Sequence, residues 1–230
     1  MEHFIITRFN IGYTDLDDGE GWLKKRYNLF TKYTIPSIKN QTCKEFTWLL
    51  IISAQTPQSV LNDILKQYPS IVFLATDESY QGKKPEPCWI TPKILSHYFP
   101  KNTPILSTRM DSDDCIAPTF VEELHKQVNP EKDKSTYIFP LGYNYLIKKN
   151  LLYQFFHPAN MFVSVVSFSS EYNIYTKKHA EMAKNAMQIL PKIPMWCFTL
   201  HDTNYSNIPH GTILPDSTPF FKWITHENIS

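Results

Sequence analysis

The chain reads as a doubly wound α/β protein built on a mostly parallel sheet, and three observations say so. Its apolar runs are short and continuous rather than alternating, helical patterns separate them, and strand and helix alternate four times before residue 128. Phe4-Ile5-Ile6 opens the first strand and Phe46 to Ile52 forms the second. Ile71 to Ala75 forms the third, and Pro104 to Ser107 leads the fourth into Thr108-Arg109-Met110. Strands apolar along their whole length suit a sheet covered on both faces.

The helices announce themselves by their starts. Thr56-Pro57, Thr91-Pro92 and Ala117-Pro118 each put proline at the first helical position, where its missing N–H costs nothing. Val60, Leu61, Ile64, Leu65 and Tyr68 share one face of the first, Ile94, Leu95 and Tyr98 one face of the second. Phe120, Val121, Leu124 and Val128 share one face of the third. A further helix spans about Trp22 to Thr34. Past residue 128 the pattern changes. Tyr137 to Ile147 alternates at period two, Met161 to Phe168 reads as a strand, and about Lys177 to Leu190 reads as a helix with Ala180, Ala183, Met187 and Leu190 inward. No repeat or linker divides the chain, so residues 1–230 are expected to form one domain. Its nucleotide-binding half is expected over 1–128 and its acceptor-binding half, a smaller β region, over 129–230.

Composition removes several function classes. Twenty-three basic residues against 22 acidic ones leave a formal charge of +1, which gives no field to draw nucleic acid. The start, Met1-Glu2-His3-Phe4, lacks the basic head and apolar core of a signal peptide, and no window approaches the ~20 apolar residues of a membrane span. Cys43, Cys88, Cys115 and Cys197 are far apart, with no pair at metal-ligand or redox spacing; reduced thiols in a cytoplasmic protein are expected. Only six glycines occur, and neither G-x-G-x-x-G nor a P-loop is among them. Phosphates must be neutralised by something other than a glycine nest.

Asp111-Ser112-Asp113-Asp114 directly follows the fourth strand, at the sheet end where open α/β proteins bind ligands. In an extended segment Asp111 and Asp113 point to one side. Two such carboxylates repel unless a cation lies between them, and Mn2+ or Mg2+ takes one or two carboxylates plus phosphate oxygens. The bland alternative is a solvated turn capping the next helix. An EF-hand is excluded, since Cys115 and Ile116 stand where a ligand and a glycine are needed. Arg8 ends the first strand, where an arginine meets phosphate.

The strand followed by Asp-x-Asp resembles the GT-A glycosyltransferases, and more specifically the bacterial rhamnosyltransferases of that fold. The stretches that carry the resemblance are residues 3–10 (HFIITRFN), Pro36-Ser37-Ile38 with Gln41-Thr42, Phe46-Thr47-Trp48-Leu49 and residues 108–114 (TRMDSDD). Pro194-Met195-Trp196 and His201-Asp202-Thr203-Asn204 are a weaker echo. The resemblance implies a GT-A-like fold and transfer of a sugar from a nucleoside-diphosphate donor to a glycan or lipid-linked glycan acceptor. It implies that Asp111 touches the donor ribose and the metal, that Asp113 ligates the cation, and that His201 completes the metal site. Thr7, Arg8 and Phe9 would line the nucleoside site, and Arg109 would lie near the diphosphate or the sugar. Ser53-Ala54-Gln55 departs from the acidic residues that many relatives place at that strand end, so the base stays open.

Inverting transfer needs a base for the acceptor hydroxyl, and Glu171 and Asp202 are the candidates. Lys83-Lys84 with its flanking prolines reads as an exposed loop or a lid. Tyr143, Tyr145, Trp89 and Trp196 are either core rings or sugar-stacking ones. A lipid-linked acceptor would bring the chain to the inner membrane face, although no amphipathic anchor stands out. The rival functions are a Mg2+-dependent nucleotidyltransferase or phosphohydrolase, and a catalytically silent nucleotide-sugar-binding domain.

Overall fold

Each continuous apolar run of the first half becomes a buried strand in the computed structural model, which describes residues 1–77, 91–100, 103–202 and 208–225. The strands are β1 (Glu2–Arg8), β2 (Thr47–Ser53), β3 (Val72–Thr76), β4 (Ile105–Asp111), β5 (Cys115–Ile116), β6 (Thr136–Ile138), β7 (Leu141–Leu146), β8 (Leu151–Phe156), β9 (Ser164–Ser167), β10 (Met187–Gln188), β11 (Trp196–Leu200) and β12 (Thr212–Ile213). The helices are α1 (Gly19–Leu29), α2 (Ile35–Lys39), α3 (Gln58–Gln67), α4 (Thr91–Tyr98), α5 (Phe120–Gln127), α6 (His179–Ala183) and α7 (Thr218–Phe221).

The main sheet has the order β10-β6-β9-β4-β1-β2-β3. β4, β1, β2 and β3 run parallel, β9 is antiparallel to both β4 and β6, and β10 is parallel to β6. The sheet is therefore mostly parallel, as the apolar runs require. Two hydrophobic layers cover it. Ile5, Trp48, Leu50 and Leu106 pack with Leu23, Phe30, Ile38, Ile64, Phe120 and Leu124 on one side. Phe4, Ile6, Leu49 and Ile51 pack with Leu95, Tyr175 and Met182 on the other.

A second sheet, β12-β8-β7-β11-β5, stands beside the first. The alternating run from Tyr137 breaks at Phe139-Pro140, because proline cannot continue a ladder. Its first piece joins the main sheet as β6 and its second becomes β7. The main sheet thus draws three strands, β6, β9 and β10, from residues beyond 128.

Two helical expectations need correction. The helix over 177–190 is confined to α6, and Met187 and Leu190 are exposed at 48% and 74% rather than inward. Met187 and Gln188 pair with the free edge of β6, and Ile189 donates to the Ile138 carbonyl; edge pairing wins there over helix periodicity. Pro191 then bars αR geometry to Leu190. The helix over 22–34 is longer than expected. A π-helical turn over Phe30–Thr34 joins α1 to α2, and Pro36 falls at the start of α2, where it has no N–H to offer the preceding turn. Met1–Thr225 shows no described helix long and apolar enough to cross a membrane.

Candidate functional site

Asp111 is the last residue of β4, and the register of β1 against β4 sets Arg8 directly beside it. Arg109, two residues earlier on the same strand, turns its guanidinium onto the Asp111 carboxylate, with Nε and Nη2 at 3.3 Å from Oδ1. Burial alone would raise the Asp111 pKa, but Arg109, Arg8 and Arg26 outweigh it and hold the carboxyl below its ordinary value. Tyr175, fully buried, lies under both arginines: Arg8 Cζ is 5.4 Å and Arg109 Cζ 5.7 Å from its ring centre. The Arg109 Nη1 donates to His179 Nδ1 at 3.2 Å. Burial, then the charge of Arg109, lowers the His179 pKa, which keeps that nitrogen an acceptor.

Asp113 takes a different direction. The chain turns after β4, with the Asp114 N–H reaching back to the Asp111 carbonyl at 3.4 Å, so the two carboxylates do not stand side by side as an extended segment would put them. Asp113 Oδ2 instead receives Arg26 Nη1 at 2.6 Å and faces His201 Nε2 at 2.8 Å. Arg26 comes from the last turn of α1, where its guanidinium also covers Trp22 one turn earlier, at 5.1 Å. His201 immediately follows β11, and Thr199 on that strand pins the turn. Its N–H donates to Asp114 Oδ1 at 3.0 Å and its hydroxyl to the Asp113 carbonyl at 2.5 Å.

Asp114 is structural. Its carboxylate is buried at 4% exposure and its carbonyl accepts from Thr34 Oγ1 in the π-helical turn. Burial, with Asp113 and Asp111 close by, pushes its pKa well above the carboxylate range, opposed by the Thr199 N–H.

The other expected residues divide. Thr7 is wholly buried and accepts a hydrogen bond from Trp48 Nε1 at 3.0 Å; Phe9 packs on Phe30 at 5.0 Å. Both face the core rather than a nucleoside, because alternate residues of β1 point beneath the helices. Arg8, between them, points to the carboxylates. Asp202 follows His201 into solvent, 80% exposed, with Lys25 Nζ at 4.0 Å. Glu171 is exposed in the loop that leaves β9 beside Ile105, and its carbonyl accepts from Thr176 Oγ1 at 3.4 Å. Tyr143, Tyr145 and Trp196 are core rings. Lys83-Lys84, Trp89, Cys88 and Thr203-Asn204 lie outside the described residues.

Sequence reasoning missed Arg26, Tyr175 and His179. Arg26 sits in a helix beside Lys24 and Lys25 and carries no local mark that separates it from a solvated face. Tyr175 and His179 reach the site from a loop and a short helix with no motif. Asn10 was legible only as part of a matching stretch, yet it is fully buried. Its Oδ1 accepts from the Ser53 N–H and its Nδ2 donates to Thr56, clamping the ends of β1 and β2 together.

The arrangement suits a diphosphate and a cation. Arg8 Nε and Arg26 Nε are buried without an acceptor, so both guanidiniums keep donor capacity that the protein does not use. Asp113 and His201 converge as carboxylate and imidazole donors, a set that fits a divalent cation. Asp111 is turned to Arg109. Among the described residues the three do not form a group with every donor atom within 4.8 Å of the others. Arg26 shares the Asp113 oxygen that a cation would take.

No curated protein matches the chain. Among solved structures it is similar to the inositol-1-phosphate CTP transferase from T. maritima, at 12% identity and a TM-score of 0.41, covering 81% of this chain and 78% of that one. It is also similar to S. aureus TarS, at 8% identity and a TM-score of 0.44, covering 87% of this chain and 37% of that one. Neither likeness is close enough to bear an argument. The family model described as "Putative rhamnosyl transferase" matches residues 18–212. Because that match takes in most of the chain, with Arg26, Arg109, the acidic turn and His201, the chain belongs to this family of glycosyltransferases.

Proposed function

We propose that the chain transfers a sugar, rhamnose by its family's description, from a nucleoside-diphosphate donor to a hydroxyl of a glycan acceptor in surface polysaccharide or glycolipid synthesis. The observation that carries this reading is the convergence of Arg8, Arg26 and Arg109 on two strand-end carboxylates, with His201 on the second. Three guanidiniums supply planar, always charged forks for phosphate oxygens in a largely dehydrated setting, where charge-assisted hydrogen bonds are strongest. Their counter-ions hold them in place before the donor arrives, which is the preorganisation that stabilises charge developing on a leaving diphosphate.

Asp113 and His201 are the residues that would hold Mn2+ or Mg2+, and Asp111 would join them only by turning from Arg109. When bound, such a cation supplies Lewis-acid stabilisation of the diphosphate. Donor binding belongs on this reading to residues 1–128 and acceptor binding to 129–230. Asp202, exposed next to His201, is the base that takes the acceptor hydroxyl proton in an inverting transfer. A lipid-linked acceptor would bring the protein to a membrane surface as a peripheral partner.

Calorimetry with UDP, dTDP and GDP, with and without Mn2+, on wild type and Asp113→Ala tests the reading. Metal-dependent binding of one nucleotide that disappears in the variant supports it and selects the donor class. Absence of metal-dependent binding for all three leaves the acidic turn with the structural role of its contacts to Arg109, Arg26, His201 and Thr199.

A further inference from the structure

The sheet end opposite the acidic turn carries a second cluster of ligand-type side chains. Cys43 and Glu45 stand in the segment between α2 and β2, and His125 stands in the last turn of α5. One donor atom from each lies within 4.8 Å of the other two. It is the only such group of three among the described residues. The geometry points to a divalent metal site of the zinc type, with Cys43 Sγ, His125 Nδ1 and a Glu45 carboxylate oxygen as ligands and a water in the fourth position.

Distance is the first support. Zinc bonds of ~2.3 Å to sulfur and ~2.05 Å to nitrogen at a tetrahedral angle put the two donor atoms about 3.6 Å apart. Cys43 Sγ and His125 Nδ1 are 3.8 Å apart, so an ion enters with almost no movement of either side chain.

Ligand orientation is the second and independent support. A metal-bound histidine donates its other ring N–H to a fixed partner, which sets the tautomer. His125 Nε2 is 2.9 Å from His3 Nδ1, His3 Nε2 is 2.8 Å from Thr108 Oγ1, and Thr108 Oγ1 is 2.7 Å from Ser164 Oγ. With each group donating inward, the relay ends in the core and leaves the lone pair of His125 Nδ1 aimed at Cys43. His3 is 3% exposed, and these bonds occupy both of its ring nitrogens.

The ligand types select the ion. A thiolate with an imidazole and one carboxylate is a borderline-soft tetrahedral set, unlike the oxygen-rich sets of Mg2+ and Ca2+. The site would clasp the α2–β2 connection to α5. That connection already lies along the helix through Thr42, whose N–H reaches the Pro118 carbonyl at 2.8 Å and whose hydroxyl reaches Glu122 at 2.8 Å. Cysteine spacing could not reveal this, since a single cysteine takes part and its partner lies 82 residues away.

The test is titration of the chelator-stripped full chain with Co2+, followed by Zn2+. The expected result is one equivalent of Co2+ with a sulfur-to-cobalt charge-transfer absorption, bleached when Zn2+ displaces it. Cys43→Ser removes that absorption, Glu45→Gln weakens Co2+ binding at least about tenfold, and Asp113→Ala leaves it intact. The last variant separates this site from any cation at the acidic turn, which has no sulfur. Absence of the absorption in wild type, its survival in Cys43→Ser, or unchanged affinity in Glu45→Gln would each overturn the assignment. Glu45 is exposed, so its variant remains informative even where Cys43→Ser folds poorly.

Discussion

Asp113 Oδ2 has two suitors on the protein, Arg26 and His201, and the chemistry of the site turns on which of them yields. Arg26 is a resident cation at the oxygen where a divalent ion would bind, and on the proposed function it also donates hydrogen bonds to the diphosphate. Its removal therefore acts in opposite directions on two ligands. Arg26→Ala is expected to tighten Mn2+ alone, because a competing charge leaves. The same change is expected to weaken nucleoside diphosphate by about ten- to a hundredfold, the equivalent of one charge-assisted hydrogen bond at ~1.5–3 kcal/mol. Paired calorimetric titrations of metal and nucleotide read both effects, and parallel loss of the two would sink the competition argument. At this scale the sequence showed the acidic turn, Arg8, Arg109 and His201, because each sits at a strand end or in a motif. It did not show Arg26 or Tyr175. A helix residue and a loop residue meet the site only through tertiary packing, and neither carries a mark in its own neighbourhood.

At the scale of elements, strands with continuous apolar runs were readable almost to the residue, and proline marked three helix starts. Failure came where one signal had two meanings. Lys177 to Leu190 has helical spacing, yet its second half pairs with an exposed edge, and no local property of the sequence tells that an edge will be open there. Tyr137 to Ile147 keeps strand periodicity across a change of sheet. That second sheet depends on a close approach the sequence also conceals. A Cβ on Gly142 in β7 would lie 2.1 Å from the Trp196 ring of neighbouring β11. The ring cannot retreat: it stacks on Phe162 at 17° and donates to the Phe139 carbonyl at 2.7 Å. Gly142→Ala is expected to cost about 1–3 kcal/mol by overpacking and to lower the melting temperature by several degrees. An unchanged melting temperature would show that the two strands separate more easily than this packing allows.

Across the whole molecule, the second sheet, the long first helical segment and α7 meet in one aromatic cluster. Tyr33 from the π-helical turn packs edge-on against Tyr145 of β7 at 6.1 Å, and both touch Phe220 of α7, at 6.2 and 4.8 Å. Burial pushes both phenols up to about 12, with the Cys115 and Cys197 thiols adding to it at Tyr33 and the Tyr33 phenol adding at Tyr145. An unfolded tyrosine releases its proton near ~10. Below that pH both states hold the proton, and the pair adds no pH dependence. Between about 10 and about 12 the unfolded chain binds fewer protons than the folded one, so stability falls as pH rises. Lysines also titrate in this range, and the comparison must cancel them. Tyr33→Phe with Tyr145→Phe removes both phenols and keeps the rings, apart from the Tyr145 hydroxyl's bond to Asn150 Oδ1. Urea midpoints for the double variant are therefore expected to decline less steeply than those of wild type from pH 9 to pH 11. Equal slopes would mean that the phenols ionise within the fold, and hence that this aromatic junction opens to water before the rest of the molecule unfolds.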